Sequence, residues 1–221
     1  MAMQNTKLTL YFSKNSCAIA SMAALEEAQL RFDAMPVEMS PDGAGDEGFR
    51  RLNPRRQVPV LTAGERIVRE NGAIFRYLDG LRPQAGLLPI DSDEQIRAAE
   101  WLGYLGGTVH PAFRLLFRPQ RFVGLAADAQ LALRTETRSH VQKLLDDLDA
   151  ELTGDWVLRQ RSAIDFYLFV FTRWASLIKA PLANRLVAHR ARVVELPAMA
   201  RALVREEEAY AAAQSASTPS A

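Results

Sequence analysis

The chain has 221 residues, 48% of them hydrophobic, and 27 basic against 26 acidic residues leave a formal charge of +1. That length holds one large or two small packed domains, and so even a balance offers no field for nucleic acid, an anionic membrane or a polyanionic substrate. A lone cysteine, Cys17, excludes an internal disulfide framework, no apolar run approaches the roughly 20 residues that cross a bilayer, and Met1 to Thr6 lack a basic-then-apolar leader, so a cytoplasmic location is the expectation.

Lys7 to Phe12 reads as a strand, Ser13 to Ser16 as a polar loop, and Cys17 to Leu30 as a helix. Phe32 to Met39 alternates as a second strand, and Ser40 to Gly48 is rich in turn residues. A short helix at Glu47 to Leu52 precedes a hairpin of Val58 to Thr62 and Arg66 to Arg69 around Ala63-Gly64-Glu65, and a helix from Glu70 to Leu81 closes this half. The stretch Arg82 to Pro89 holds two prolines and a glycine and marks the boundary, giving an α/β domain over 7–81, a linker over 82–92 and an all-α domain over 93–213. The expected helices there are Glu94 to Phe117, Ala126 to Leu152, Ser162 to Ser176, Leu182 to Val194 and Pro197 to Ala213, with a frayed tail from Gln214. In the second of them Val141, Leu144, Leu145, Leu148 and Leu152 recur at the spacing of one buried face.

Pro59 within Gln57-Val58-Pro59-Val60-Leu61 cannot donate a ladder hydrogen bond, so it belongs at a bulge, a strand start or a cis turn. A cis Val58–Pro59 bond would aim the Val58 N–H and C=O outward as a ligand-facing edge. Cys17 falls where a turn feeds a helix N-terminus, which favours a thiolate, and Ser13, Asn15 and Ser16 add donors beside it. Free cysteines are equally at home in cores, so packing the helix on the sheet remains open. Glu70 is either a routine acidic first-turn residue or the acceptor for a ligand ammonium, with the N–H groups of Asn71 and Gly72 receiving a carboxylate.

Gly43-Ala44-Gly45-Asp46-Glu47-Gly48 matches a dinucleotide fingerprint in letters only, because Asp42, Asp46 and Glu47 would set carboxylates against a pyrophosphate. Ala99, Gly103, Gly106, Gly107 and His110 form a stripe that invites close approach of a helix, a ligand or a partner subunit, and Pro111 should kink or end the helix at His110. Ser162-Ala163-Ile164-Asp165 is a capping box opening a very apolar helix with Phe166, Phe171 and Trp174. His110, His140 and His189 show no metal-ligand spacing, which leaves thiol chemistry.

Tyr11-Phe12-Ser13-Lys14-Asn15-Ser16-Cys17, Asn53-Pro54-Arg55-Arg56-Gln57-Val58-Pro59-Val60-Leu61, Glu70-Asn71 and Ser162-Ala163-Ile164-Asp165, in that order and spacing, resemble the cytosolic glutathione S-transferase family and, within it, the bacterial beta class. The resemblance covers about residues 7 to 210. It implies a thioredoxin-like N-terminal domain, an all-helical C-terminal domain, a cis Pro59 and glutathione as co-substrate without a metal. It further implies that Val58, flanked by Gln57 and Pro59, pairs with the cysteinyl part of glutathione, that Glu70 and Asn71 hold its γ-glutamyl head, and that Cys17 contacts its sulfur and can form a mixed disulfide. His110 corresponds to a histidine lining the site, Trp174 to a nearby aromatic, and the helix over Glu94 to Phe117 to the contact of a homodimer. Asn15 and Ser16 occupy the region from which other classes draw an activating hydroxyl. The chain departs from the pattern at Asn71, where serine or glycine is usual, at Arg56, which replaces a common glycine, and at Gly103, which replaces an asparagine.

The expected function is conjugation of the glutathione thiolate to small hydrophobic electrophiles, with Phe113, Leu116, Phe117, Phe122 and Trp174 as a guessed electrophile pocket. The alternatives are thiol–disulfide exchange through Cys17 and a non-catalytic interaction module on the same fold.

Overall fold

A computed structural model describes residues 6–40 and 43–217. Residues 1–5, residues 41–42 with Asp42 of the acidic loop, and the tail from Thr218 lie outside the described residues. The chain forms two compact units, 6–87 together with 194–217, and 88–193.

In the first unit β1 (Leu8–Phe12) lies between β2 (Phe32–Pro36), parallel to it, and β5 (Val60–Ala63), antiparallel. β6 (Arg66–Arg69) completes the order β2-β1-β5-β6. Leu8, Leu10 and Phe12 alternate inward as a period of two requires, and Tyr11 points to the opposite face. There Tyr11 joins Ala44, Phe49, Val60 and Val37, with the Phe49 ring of α2 (Glu47–Leu52) 5.7 Å from the Tyr11 ring. β2 stops at Pro36 rather than Met39, and a small ribbon of β3 (Met39–Ser40) and β4 (Gly43–Ala44) follows where the sequence reads as a loop. Gly45 has φ +69, and a Cβ there would stand 2.4 Å from Phe49 Cβ, so the ribbon meets α2 only through glycine.

Helix α1 (Ala18–Glu27) is buried from Ala18 through Glu26, because it packs on α3 (Asn71–Leu81) and on α10 (Pro197–Ser217) as well as on β1. It ends before Leu30 in a Schellman turn, with Gln29 at φ 51 and the Leu30 N–H donating to Leu25 O at 3.1 Å. The buried carboxylate of Glu26 takes Arg201 at 2.8 Å and Arg205 at 2.7 Å. These ties place α10 in the first unit instead of the helical one expected over 93–213, and the helix runs through Ser217, beyond the frayed end expected at Gln214.

The second unit holds α4 (Ser92–Tyr104), α5 (His110–Phe117), α6 (Gln120–Val123), α7 (Ala127–Glu151), α8 (Ala163–Leu177) and most of α9 (Asn184–Glu195). Pro111 does not end the helix at His110, which keeps α geometry at φ −59 and ψ −47. Its missing N–H is accommodated upstream by a π turn over Leu105–Val109, with the His110 N–H reaching Leu105 O. Gly103 and Gly107 are exposed with nothing within 4 Å of a Cβ position, and at Gly106 a Cβ would stand at an ordinary contact distance of 3.6 Å from the Tyr167 hydroxyl, so none of the three glycines is required by close packing. The face of α7 carrying Val141, Leu144, Leu145 and Leu148 is buried as its periodicity requires.

Asp165 sits wholly buried at the start of α8, accepting from Ser162 N at 2.8 Å, Val157 N at 2.9 Å and His189 Nε2 at 2.9 Å, while Ser162 Oγ accepts from Ile164 N at 3.3 Å. One carboxylate thus joins the box to the preceding loop and to α9. Asp165→Ala should therefore cost about 3 kcal/mol in urea unfolding, by stranding buried donors. A loss under about 1 kcal/mol would show that those donors find other acceptors.

Candidate functional site

Where β1 leaves the sheet, Ser13 to Ser16 turn the chain toward α1, closed by Ser16 N to Ser13 O at 3.1 Å. The Ser13 hydroxyl donates to Val37 O at 2.5 Å, and Ser16 Oγ accepts from Ser13 N at 3.4 Å and Ala18 N at 3.3 Å. Cys17 follows at the mouth of the helix, 5% exposed, its thiol donating to Val58 O at 3.6 Å. The Val58–Pro59 peptide is cis, the last of the three options open for this proline. Its carbonyl is not free as expected but faces the sulfur, which brings thiol and strand edge together.

Glu70 does not open α3; it precedes it at φ 69, ψ 135, a conformation that costs a non-glycine residue roughly 1–3 kcal/mol. The carboxylate is well exposed and pairs with Arg55 at 3.1 Å. The first N–H groups of α3 have no partner within the helix, so Glu70 and these donors offer opposite charges side by side. The Asn71 side chain is buried, with Oδ1 accepting from Ser21 Oγ at 2.6 Å and Nδ2 donating to Cys17 O at 3.1 Å. The amide braces α1 against α3, and what Asn71 offers a ligand is its main chain. Gln57 contributes structurally through its carbonyl, which accepts from the Asn53 amide at 2.8 Å.

Arg56 stands at φ 52, which explains why glycine suits that position. Its guanidinium compensates by donating to Gly45 O at 2.7 Å and Ala44 O at 3.3 Å, stapling the β3–β4 ribbon beside the proline strand. Sequence reasoning also missed a clamp on the thiol turn. Asn15, at φ 60, donates its N–H to Glu206 Oε1 at 3.1 Å, while Lys14 pairs with Glu207 at 2.6 Å and lies 5.0 Å over the Tyr210 ring. Glu206 is 1% exposed, and nothing in an alanine- and glutamate-rich helix marks one carboxylate as buried.

In the second unit His110 Nδ1 lies 3.4 Å from the Tyr167 hydroxyl and its ring 5.0 Å from Trp174. Trp174 is the hub of an aromatic cluster with Phe113 at 5.5 Å and Phe117 at 5.4 Å. Phe113 is completely buried, so it is core rather than pocket lining; Phe117 and Phe122 are the exposed members of the guessed set, and of these Phe117 lies against Trp174. Burial, with a smaller push from Arg114, lowers the His110 pKa to about 4.

The first unit is thus a thioredoxin-like α/β unit presenting a cysteine, a cis-proline edge and an acid-flanked helix start, the arrangement of a thiol-peptide site. Residues 6–80 match the model of the glutathione S-transferase N-terminal domain. The chain is 30% identical over 207 residues to glutathione S-transferase GstA of Escherichia coli O157:H7, covering 90% of this chain and 98% of that one. Among solved structures, the bacterial beta class glutathione S-transferase of Sphingomonas chungbukensis superimposes with a TM-score of 0.78 at 32% identity, covering 90% of this chain and 98% of that one. A sphingomonad glutathione S-transferase complexed with glutathione gives 0.77 at 30% identity, with the same coverages. The chain belongs to the glutathione S-transferase family.

Two outcomes follow from this geometry. Glu206→Ala removes the buried acceptor of the Asn15 N–H and should lower stability by about 1–3 kcal/mol. It should also raise hydrogen exchange across 13–17 and shift the Cys17 alkylation rate severalfold; an unchanged rate with the same stability loss would confine Glu206 to packing. For His110, a folded pKa below the unfolded value near 6.5 means that stability is full above pH 6.5 and is lost as pH falls toward about 4, by about 3 kcal/mol. An NMR titration should find the His110 ring neutral at pH 5, and a midpoint near 6.5 would overturn this.

Proposed function

We propose that the chain is a glutathione transferase that binds glutathione on its first unit and conjugates the thiolate to small hydrophobic electrophiles. The observation that carries the reading is the Cys17 thiol 3.6 Å from the carbonyl of the cis Val58–Pro59 edge, with Glu70 held in a costly conformation at the start of α3. A tripeptide thiol fits this set by a main-chain pairing at Val58, an ammonium at Glu70, a carboxylate at the α3 N–H groups and a sulfur beside Cys17 and Ser16. Likeness to a relative solved with glutathione supports the same assignment.

In the reaction the glutathione S–H gives its proton to solvent, and the thiolate attacks an electrophilic carbon. With an aryl chloride the carbon–chlorine bond then breaks and chloride departs with the electron pair. The protein's part is to lower the thiol pKa and fix the sulfur. Phe117 and Trp174 remain our candidates for the wall against the electrophile. Two copies are proposed to associate along α4 and the π turn, where Ala99, Gly103, Gly106 and Gly107 are exposed and spare of side chain. No helix among the described residues is long and apolar enough to cross a membrane, and a chain with one cysteine, which can close no disulfide within itself, suits a reducing compartment such as the cytoplasm.

A second reading, thiol–disulfide exchange, draws on the same position of Cys17 at the mouth of α1. There the Cys17 thiolate attacks a disulfide sulfur and expels a thiolate, and glutathione then cleaves the mixed disulfide. Cys17→Ala separates the two: conjugation of a chlorinated nitrobenzene at a normal rate with loss of disulfide reduction selects exchange.

Calorimetry with glutathione tests the common premise, since absent binding would leave only a non-catalytic module. Glu70→Ala should weaken glutathione binding about 10- to 100-fold, the worth of a charge-assisted hydrogen bond, with kcat changed much less than KM. Equal loss in both parameters would place Glu70 in the chemical step instead.

A further inference from the structure

The sheet carries a cavity at its other end. Strand β1 runs from Leu8 to Phe12, and at its Leu8 end the starts of β1 and β2 and the ends of α1 and α3 enclose a cavity of about 700 Å³. Lys7, Arg31, Arg82, Asp33, Tyr77 and Leu30 line it. Five strand residues at about 3.3 Å each separate this cavity from the thiol turn by roughly 17 Å or more.

Its charge is unlike that of the chain as a whole, which carries +1 over 221 residues. Three cations face one carboxylate, Asp33, which Lys7 already neutralises at 2.8 Å. Arg31 and Arg82 make no side-chain hydrogen bond or ion pair among the described residues. They are not recruited to cap the helix ends, because those carbonyls are bonded within the main chain. Leu25 O takes Leu30 N at 3.1 Å, Leu78 O takes Arg82 N at 2.9 Å, and the Arg82 carbonyl takes Ala85 N at 3.0 Å. Arg66 lies 5.8 Å from the Tyr77 ring and adds positive charge at that rim.

Unengaged guanidiniums bind phosphate through paired N–H donors, and an aromatic ring with leucine beside it receives a flat ligand. The volume lies within the roughly 300–1,000 Å³ of small-molecule sites. We propose that this cavity binds a small aromatic phosphate of nucleoside monophosphate size, the phosphate between Arg31 and Arg82 and the ring against Tyr77 and Leu30. The site is independent of the glutathione reading, being at the other end of the strand.

Calorimetry of the full chain with adenosine monophosphate tests it, with adenosine and pyrophosphate as controls. Saturable binding of the monophosphate is expected, tighter than that of either control, weakened by raising salt from 50 to 200 mM in keeping with an ionic contact, and unchanged by saturating glutathione. The double variant Arg31→Ala, Arg82→Ala should bind at least about tenfold more weakly while keeping its melting temperature and glutathione affinity. Absence of binding, equal binding by the double variant, or competition by glutathione would overturn the site. Pyrophosphate binding as tightly as the monophosphate would overturn its aromatic half.

Discussion

Helix α1 has no solvent-facing side, and the position of the sulfur follows from that. A helix exposed on one face can slide or tilt to suit its neighbours, whereas α1 is enclosed by β1, α3 and α10 and buried from Ala18 to Glu26. Its alanines let three elements approach together, and close packing of this kind leaves few alternative arrangements. Polar ties then fix both ends. Asn71 holds the Cys17 carbonyl at the start, and Arg201 and Arg205 hold Glu26 near the finish. The thiol is therefore placed by the whole first unit, including the last helix of the chain, rather than by its own turn.

The strained residues at the site make sense against that rigid helix. Asn15, Arg56 and Glu70 all have positive φ without being glycine, and each is held by contacts from elsewhere. Asn15 is held by Glu206 and Arg56 by the ribbon it staples, so the compensating bonds offset a conformation that glycine would adopt freely. Glu70 differs, since its side-chain partner among the described residues is the exposed Arg55, and an exposed ion pair is worth about 0–1 kcal/mol. Its strain is the least compensated of the three, which is what a residue reserved for a ligand would show.

Much of this architecture is legible in the chain. The alternation of Lys7 to Phe12, the turn at Ala63 to Glu65 and the spacing of Val141 to Leu148 are local signals of local structure, and they reappear as β1, the β5–β6 connection and α7. The proline strand, the acid before Asn71 and the capping box were readable because each has a short-range reason. The remainder depends on partners far apart in sequence. The Asn71 side chain could serve a ligand or Ser21, and only the packing of α3 against α1 decides for the latter. A carboxylate in α10 is buried at Glu206 and exposed at Glu207 because of where the helix lies, which no periodicity reveals. Phe113 likewise fits a pocket or a core equally well until Trp174 and Phe171 are seen to enclose it.

The source of thiolate stabilisation can be narrowed by the same accounting. An imidazole whose pKa is lowered to about 4 is neutral at pH 7, so His110 carries no positive charge at that pH. The first N–H groups of α1 are partly engaged, Ala18 N by Ser16 Oγ and Ile19 N by Ser16 O at 3.4 Å, so the helix acts on a sulfur more through its dipole than by direct bonds. Ser16 is left. Its oxygen accepts from both Ser13 N and Ala18 N, and a hydroxyl accepting twice has its single proton still to give. Under the proposed function, that proton, on a hydroxyl next in sequence to Cys17 and pinned by two backbone donors, is the one offered to the ligand's sulfur, while the Cys17 thiol itself is tied to Val58 O.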